Sequence, residues 1–130
     1  MTTAAITERW LLSRAITEAD TNGTRQVLEV PAKTFVAEVL LLITEAFDGG
    51  TPSIDIGDGD DTDGWIDSGA ITASTTGTYR GDETAGLIGA YHHGGKYYAA
   101  SDTIDAVVSA SLSDGTAYVL ARCLDLGNFL

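Results

Sequence analysis

The residues best placed to do chemistry are carboxylates. Asp55, Asp58, Asp60, Asp61, Asp63 and Asp67 fall within thirteen positions, interleaved with glycine and with no base among them. Carboxylates crowded on a tight loop repel one another, and a hard cation with oxygen ligands relieves the repulsion. Calcium is the ion this pattern suits, with Asp55, Asp58, Asp60, Asp61 and Asp63 as its ligands. The spacing matches no standard calcium loop: an EF-hand starting at Asp58 needs a glycine where Asp63 stands. The glycine-rich calcium repeat of β-rolls is also missing. Asp and Gly are equally the favoured residues of a solvated turn between strands, and that is the plainer reading.

Other reactive groups form no constellation. His92 and His93 are adjacent, so on a strand they point to opposite faces and cannot chelate one ion together. No cysteine or third histidine is placed to complete a zinc site. Cys123 is the only cysteine, which excludes an intrachain disulfide, and Val119 and Ala121 at alternate positions mark it as a small core residue. There is neither a Gly-x-Ser-x-Gly elbow nor a phosphate-binding loop, so no enzyme is expected. Contact rather than catalysis is the theme of the remaining signals. Tyr97 and Tyr98 put one ring on each face of their strand, one for the core and one for a rim or an interface. Phe129 and Leu130 make an apolar tip at 127–130, where a chain end is usually polar. Such a tip either docks on another surface or packs back on its own sheet.

The elements that position these residues read as strands. Fifteen glycines, two prolines and abundant Thr, Ser, Val and Ile favour short strands and tight turns. From Thr103 the chain alternates, with Ile104, Ala106, Val108, Ala110 and Leu112 on one face. Asp114-Gly115 then reads as a two-residue hairpin turn, with Thr116–Leu126 as the returning strand. Arg9–Thr17 alternates as well, with Trp10, Leu12 and Ile16 together. Asn22-Gly23 is a second hairpin signal, and Arg25–Val30 would be the partner strand, stopped by Pro31. Residues 34–47 fit either period. A strand is preferred, with Phe35, Ala37, Val39, Leu41, Ile43 and Phe47 on one face, because its neighbours are strands. Ile54–Ile56, Trp65-Ile66 and Lys96–Ala100 add shorter pieces. The sum predicts an all-β, single antiparallel β-sandwich over 1–130, jelly-roll-like, with a short N-terminal arm over about 1–8.

Composition bounds the partners. Seven basic against nineteen acidic residues give a net charge of −12 on 130 residues, which excludes nucleic acid as a direct partner. With 44% hydrophobic residues the chain is a folded domain rather than an acidic disordered one. The longest apolar run, Val39–Ile43, is far too short for a membrane span. The opening residues lack the charge and apolar core of a signal peptide, so none is expected. Seven of the nineteen acids lie between Asp48 and Asp67, so the acidity concentrates in one loop region.

Four segments together resemble a known kind of protein. They are Thr34–Asp48; the stretch Ile54-Asp55-Ile56-Gly57-Asp58-Gly59-Asp60-Asp61-Thr62-Asp63-Gly64-Trp65-Ile66; Lys96-Tyr97-Tyr98-Ala99-Ala100-Ser101-Asp102; and Asp114-Gly115 before a closing strand. In this order they resemble small structural proteins of tailed bacteriophage virions, over about residues 25–126. The resemblance implies a β-sandwich subunit of capsid decoration (cement) type. It would bind phage coat protein on the outer head surface as a homo-oligomer, a dimer or trimer, after assembly in the host cytoplasm. Tyr97, Tyr98, Phe129 and Leu130 are the expected contact residues. The alternative is a tail- or fibre-associated module that binds glycan through the exposed tyrosine and the acidic loop. No catalytic residue comes with the resemblance.

Overall fold

A computed structural model describes residues 2–21 and 23–130. The elements are β1 (Glu8–Leu12), β2 (Ile16–Thr17), β3 (Thr24–Val30), β4 (Thr34–Asp48), β5 (Ile54–Gly57), β6 (Gly77–Tyr79), β7 (Lys96–Tyr98), β8 (Asp102–Val108) and β9 (Asp114–Asp125), with single 3-10 turns at Glu18–Asp20 and Ser68–Ala70. Among the described residues no helix is long and apolar enough to cross a membrane.

The strands form two antiparallel sheets packed face to face. In the larger, β1 and β2 pair with β9, β9 pairs with β4, and β4 pairs with β6 and β7; the smaller has the order β3-β8-β5. From β2 onward the chain passes from one sheet to the other at almost every connection. This alternation is the winding of a jelly roll. A bridge between Ile56 and Ile66 stands beside β5, where the smaller sheet of a jelly roll carries its fourth strand. The sandwich expected from the sequence is therefore the fold.

Alternating apolar side chains fill the space between the sheets. Val36, Val39, Leu41, Ile43 and Phe47 of β4 and Ala117, Val119, Ala121 and Cys123 of β9 face Ile54, Ile56, Ile104, Ala106 and Val108 of the smaller sheet, all buried. Small residues on β9 opposite large ones on β4 and β8 let the layers interdigitate.

Three sequence expectations are corrected by this winding. β8 and β9 are not a hairpin: β8 pairs with β3 and β5, whereas β9 pairs with β1, β2 and β4. Asp114-Gly115 is the start of β9, with Asp114 opposite Asp48 of β4. Gly115 is required there for another reason: its φ is +134°, and a Cβ would lie 2.2 Å from the Phe47 ring. The proposed Arg9–Val30 hairpin likewise splits, because β1 and β2 lie in the larger sheet and β3 in the smaller. Asn22 of its turn lies outside the described residues. Trp10 and Leu12 face outward, at 46% and 63% exposure, while Leu11 packs on the core and Ile16 is fully buried. The phase changes at Ser13, which leaves the strand to accept a hydrogen bond from the Val119 amide on its hydroxyl (2.8 Å) and to donate its own amide to the Val119 carbonyl (2.9 Å).

Residues 34–47 are a strand, as preferred, but not in a single phase. The pairing of β4 with β9 shifts between Val36 and Glu38, so Val36 faces inward while Phe35 faces out.

The two outer faces differ in chemistry. On the larger sheet, pairing places Leu12, Leu120 and Leu40 side by side, then Tyr118 beside Leu42, and Leu124, Phe35 and Tyr97 in another row. On the smaller sheet the outward positions include the exposed Gln26 and Glu29, the half-buried Asp55, Thr103 and Val107, and Asp105, which is itself buried. One face is therefore largely apolar and the other mixed and more polar.

Candidate functional site

The acidic loop is organised around one buried carboxylate. Asp58 follows β5 directly and is fully buried. Its Oδ2 accepts hydrogen bonds from Lys96 Nζ at 2.6 Å and the Tyr98 hydroxyl at 2.8 Å. Its Oδ1 accepts from the Tyr91 hydroxyl at 3.1 Å and from the amides of Asp60 and Asp61 at 3.0 and 3.1 Å. Trp65 Nε1 donates to the Tyr98 hydroxyl at 3.2 Å, and its ring meets that of Tyr91 edge-on with centroids 5.3 Å apart. Lys96 Nζ lies 4.5 Å from the Tyr91 ring centroid and 5.0 Å from that of Tyr98.

Glycine makes the loop geometry feasible. A Cβ on Gly57 would lie 2.1 Å from the Asp61 carbonyl, so only glycine lets the loop fold back at this point. The Asp58 amide then donates to that same carbonyl at 2.9 Å.

Burial alone would raise the pKa of Asp58. The Lys96 hydrogen bond, then those from Tyr98 and the Asp61 amide, outweigh it and hold the carboxyl below its usual value. Burial works the opposite way on Lys96, where the Asp58 and Asp60 carboxylates prevail and raise the pKa. Burial, followed by the neighbouring carboxylate, raises the pKa of Tyr98. The cluster is thus a charged, fully hydrogen-bonded lock joining the acidic loop to β7.

The five suggested calcium ligands do not gather at one point. Asp58 and Asp60 are bound to Lys96, the latter at 3.0 Å. A separate group forms from Asp55, Asp63 and Asp67, whose nearest oxygens lie within 4.8 Å of one another. Its crowding shows in Asp63, whose pKa is pushed up to about 6, first by a hydrogen bond shared with Asp61, then by burial and by the charges of Asp61, Asp67 and Asp55. The oxygens a hard cation would meet are those of this trio. Sequence reasoning missed Lys96 as the counter-charge, because it is 36 positions from Asp60. The available signal was that Lys96 is the lone base between Arg80 and Arg122.

The expected contact residues divide similarly. Tyr98 is core, 3% exposed and bonded to Asp58, which removes it from any surface. Tyr97 is 40% exposed on the outer face of the larger sheet. The exposed tyrosine therefore lies on the side of β7 opposite the one through which Tyr98 meets Asp58. Phe129 and Leu130 are 49% and 62% exposed. Their backbone is held in a turn: both amides donate to the Leu126 carbonyl, and Lys33 Nζ donates to the Leu130 carbonyl at 2.5 Å. The tip is anchored by its main chain and presents its side chains outward. His92 and His93 stack edge-on, and His92 Nε2 lies 3.6 Å from Asp82.

No protein-family profile and no curated protein sequence matches the chain. Solved structures do. The fold is similar to a chain in the cyanophage Pam1 capsid asymmetric unit, with a TM-score of 0.64 at 14% identity over 96% of this chain and 94% of that one. It is similar to a chain in the acidic stable capsid of the Helicobacter pylori bacteriophage KHP30, with a TM-score of 0.61 at 13% identity over 90% and 86%. A chain of the Ralstonia phage GP4 capsid gives 0.60 at 12% identity over 95% and 86%. At these identities the likeness is one of fold, and it spans nearly the whole of each chain.

Proposed function

We propose that the protein is a structural component of a tailed-phage virion, a decoration protein that binds the outer head surface and clamps neighbouring coat subunits. The observation that carries this reading is the whole-chain match of the jelly roll to three chains of phage capsid structures. Since each match covers at least 86% of both chains, the neighbours are as small as this one.

The surface chemistry supports a contact role. An apolar outer sheet face and an outward-facing Phe129-Leu130 tip are suited to burial against protein. The more polar face and the acidic loop are suited to solvent, and the loop's charge repels packaged nucleic acid. The network around Asp58 is satisfied within the chain, so its role is to stiffen the module rather than to transform a substrate. Many copies on a symmetric shell would turn a modest contact into a stable one.

The test is co-sedimentation of purified protein with heads that lack it. Saturable binding at micromolar concentration supports the proposal. Failure to bind, combined with specific sugar binding on a glycan array, would move the assignment to a tail or fibre module.

A further inference from the structure

We infer that the groove where β3 ends and β8 begins takes an arginine side chain carried on an extended segment of the coat protein; the inference deepens the decoration reading and rests on it. The groove has a volume of about 570 Å³. Glu29, Ser101, Asp102 and Thr103 supply its polar lining, and Val30 and Pro31 its apolar lining. Register brings the two carboxylates together. Glu29 pairs with Thr103 and Val30 with Asp102, so Glu29 and Asp102 are diagonal neighbours on adjacent strands. A smaller hollow of about 250 Å³ shares Gln26, Glu29 and Thr103 with it and continues along β3 past the bulge. The pair of hollows can therefore hold a stretch of chain as well as one seated side chain.

No base of the chain serves these two acids. Arg9, Arg14, Arg80 and Arg122 lie against Asp125, Asp20, Glu38 and Glu8, and Lys96 against Asp58 and Asp60. Arg25 donates to the Thr21 carbonyl and Lys33 to the Leu130 carbonyl. With all seven bases engaged elsewhere, a cation for Glu29 and Asp102 must come from outside the chain. The neighbouring groups are set to accept. The Thr103 hydroxyl donates its proton to Asp105 Oδ1 at 2.7 Å, which leaves its lone pairs for an incoming donor. Asp102 receives the Thr103 amide on Oδ1 at 2.7 Å, which leaves Oδ2. Guanidinium carries five donors in a planar fork and no acceptor, so it can meet two carboxylates at once, as a compact ammonium does less well. Val30 and Pro31 suit its aliphatic stem.

Position identifies the source of that arginine. Lys33, two residues beyond Pro31, ties the groove to the chain's apolar tip. Its amide donates to the carbonyl of Ala99, two residues before Ser101; its carbonyl accepts from the Leu126 amide; and its Nζ holds the Leu130 carbonyl. The groove therefore shares one end of the sandwich with the outward side chains of Phe129 and Leu130. A protein surface seated on the tip reaches the groove, where an ion pair beside the apolar contact fixes orientation. The net charge of −12 favours approach of a basic segment from a distance.

Two measurements on the full chain test this. In the first, isotope-labelled protein is titrated with N-acetyl-arginine amide and, separately, with its uncharged isostere N-acetyl-citrulline amide, and amide NMR shifts are followed. The expected result is saturable shifts at Glu29, Ser101, Asp102 and Thr103 with the arginine probe alone, half-complete at about 1–10 mM. The double variant Glu29→Gln, Asp102→Asn should abolish them with no fall in melting temperature. In the second, the same variant should co-sediment with undecorated heads about tenfold more weakly than wild type, and its binding should depend less on salt. No saturable shift, or equal shifts with both probes, overturns the inference. A variant that binds heads as wild type does also overturns it and leaves the decoration reading standing. Wild type that binds the arginine probe but no heads refutes the decoration reading and the coat-protein occupant with it, while the guanidinium site stands.

Discussion

At the scale of single residues the acidic loop is held by Asp58. A buried carboxylate is tolerable only if it is paired and hydrogen-bonded, and Asp58 receives five donors. Lys96→Met removes the charge partner and leaves the carboxylate stranded. The expected cost is about 3–5 kcal/mol, read as a fall in Tm of order 10–15 °C. A fall of only a degree or two would show that the ion pair is incidental. The pH dependence has two opposed parts. Asp58 has a lowered folded pKa, so its contribution is present above the unfolded value near 3.8 and is lost as pH falls through the folded one. Lys96 has a raised folded pKa, so its share is present below 10.5 and is lost only as pH rises through the folded value. Asp63 acts in the other direction. Its folded pKa of about 6 exceeds the unfolded 3.8, so the folded state takes up the proton first and bears a penalty when ionised. Asp63→Asn should therefore raise the melting temperature at pH 7.5 and leave it nearly unchanged at pH 3.5; equal effects at both pH values would refute the crowding.

At the scale of elements the decisive feature is the phase of β4. The bulge after Val36 turns Leu41 inward and Leu40 outward. Leu41→Ala should cost about 2–5 kcal/mol, as a cavity in a packed core does, and Leu40→Ala much less, measured by urea unfolding of both variants. Equal costs would contradict the register. Gly115→Ala forces a Cβ into the Phe47 ring at a positive φ and should destabilise by a comparable amount. These features mark where the sequence was legible. Alternation in Ile104–Val108 and Val119–Cys123 correctly showed which side chains enter the core, because burial between sheets imposes period two. It could not show which strand pairs with which. A hairpin and a sheet-to-sheet crossing use the same turn residues, so Asp114-Gly115 fits the commoner motif equally well. Phase was lost wherever a bulge or Ser13 broke the alternation, hence the wrong faces for Trp10, Leu12 and Phe35. Half of the acidic site was legible as a cluster, while its counter-charge on β7 was not, since long-range pairing leaves no local pattern.

At the scale of the molecule the jelly roll presents two chemically different faces and an outward apolar tip. That polarity suits a module lying between a protein surface and solvent. Removing Phe129 and Leu130 should weaken attachment to heads while lowering the melting temperature by no more than a few degrees, because both side chains are exposed. A large loss of stability would mean the tip is part of the core. The central claim is position on the head, and cryo-electron microscopy of phage particles with and without this chain tests it most directly. A difference map should show density of jelly-roll size on the outside of the shell, repeated with its symmetry and bridging adjacent coat subunits. Difference density confined to the tail, or a shell identical in the two maps, would contradict the account.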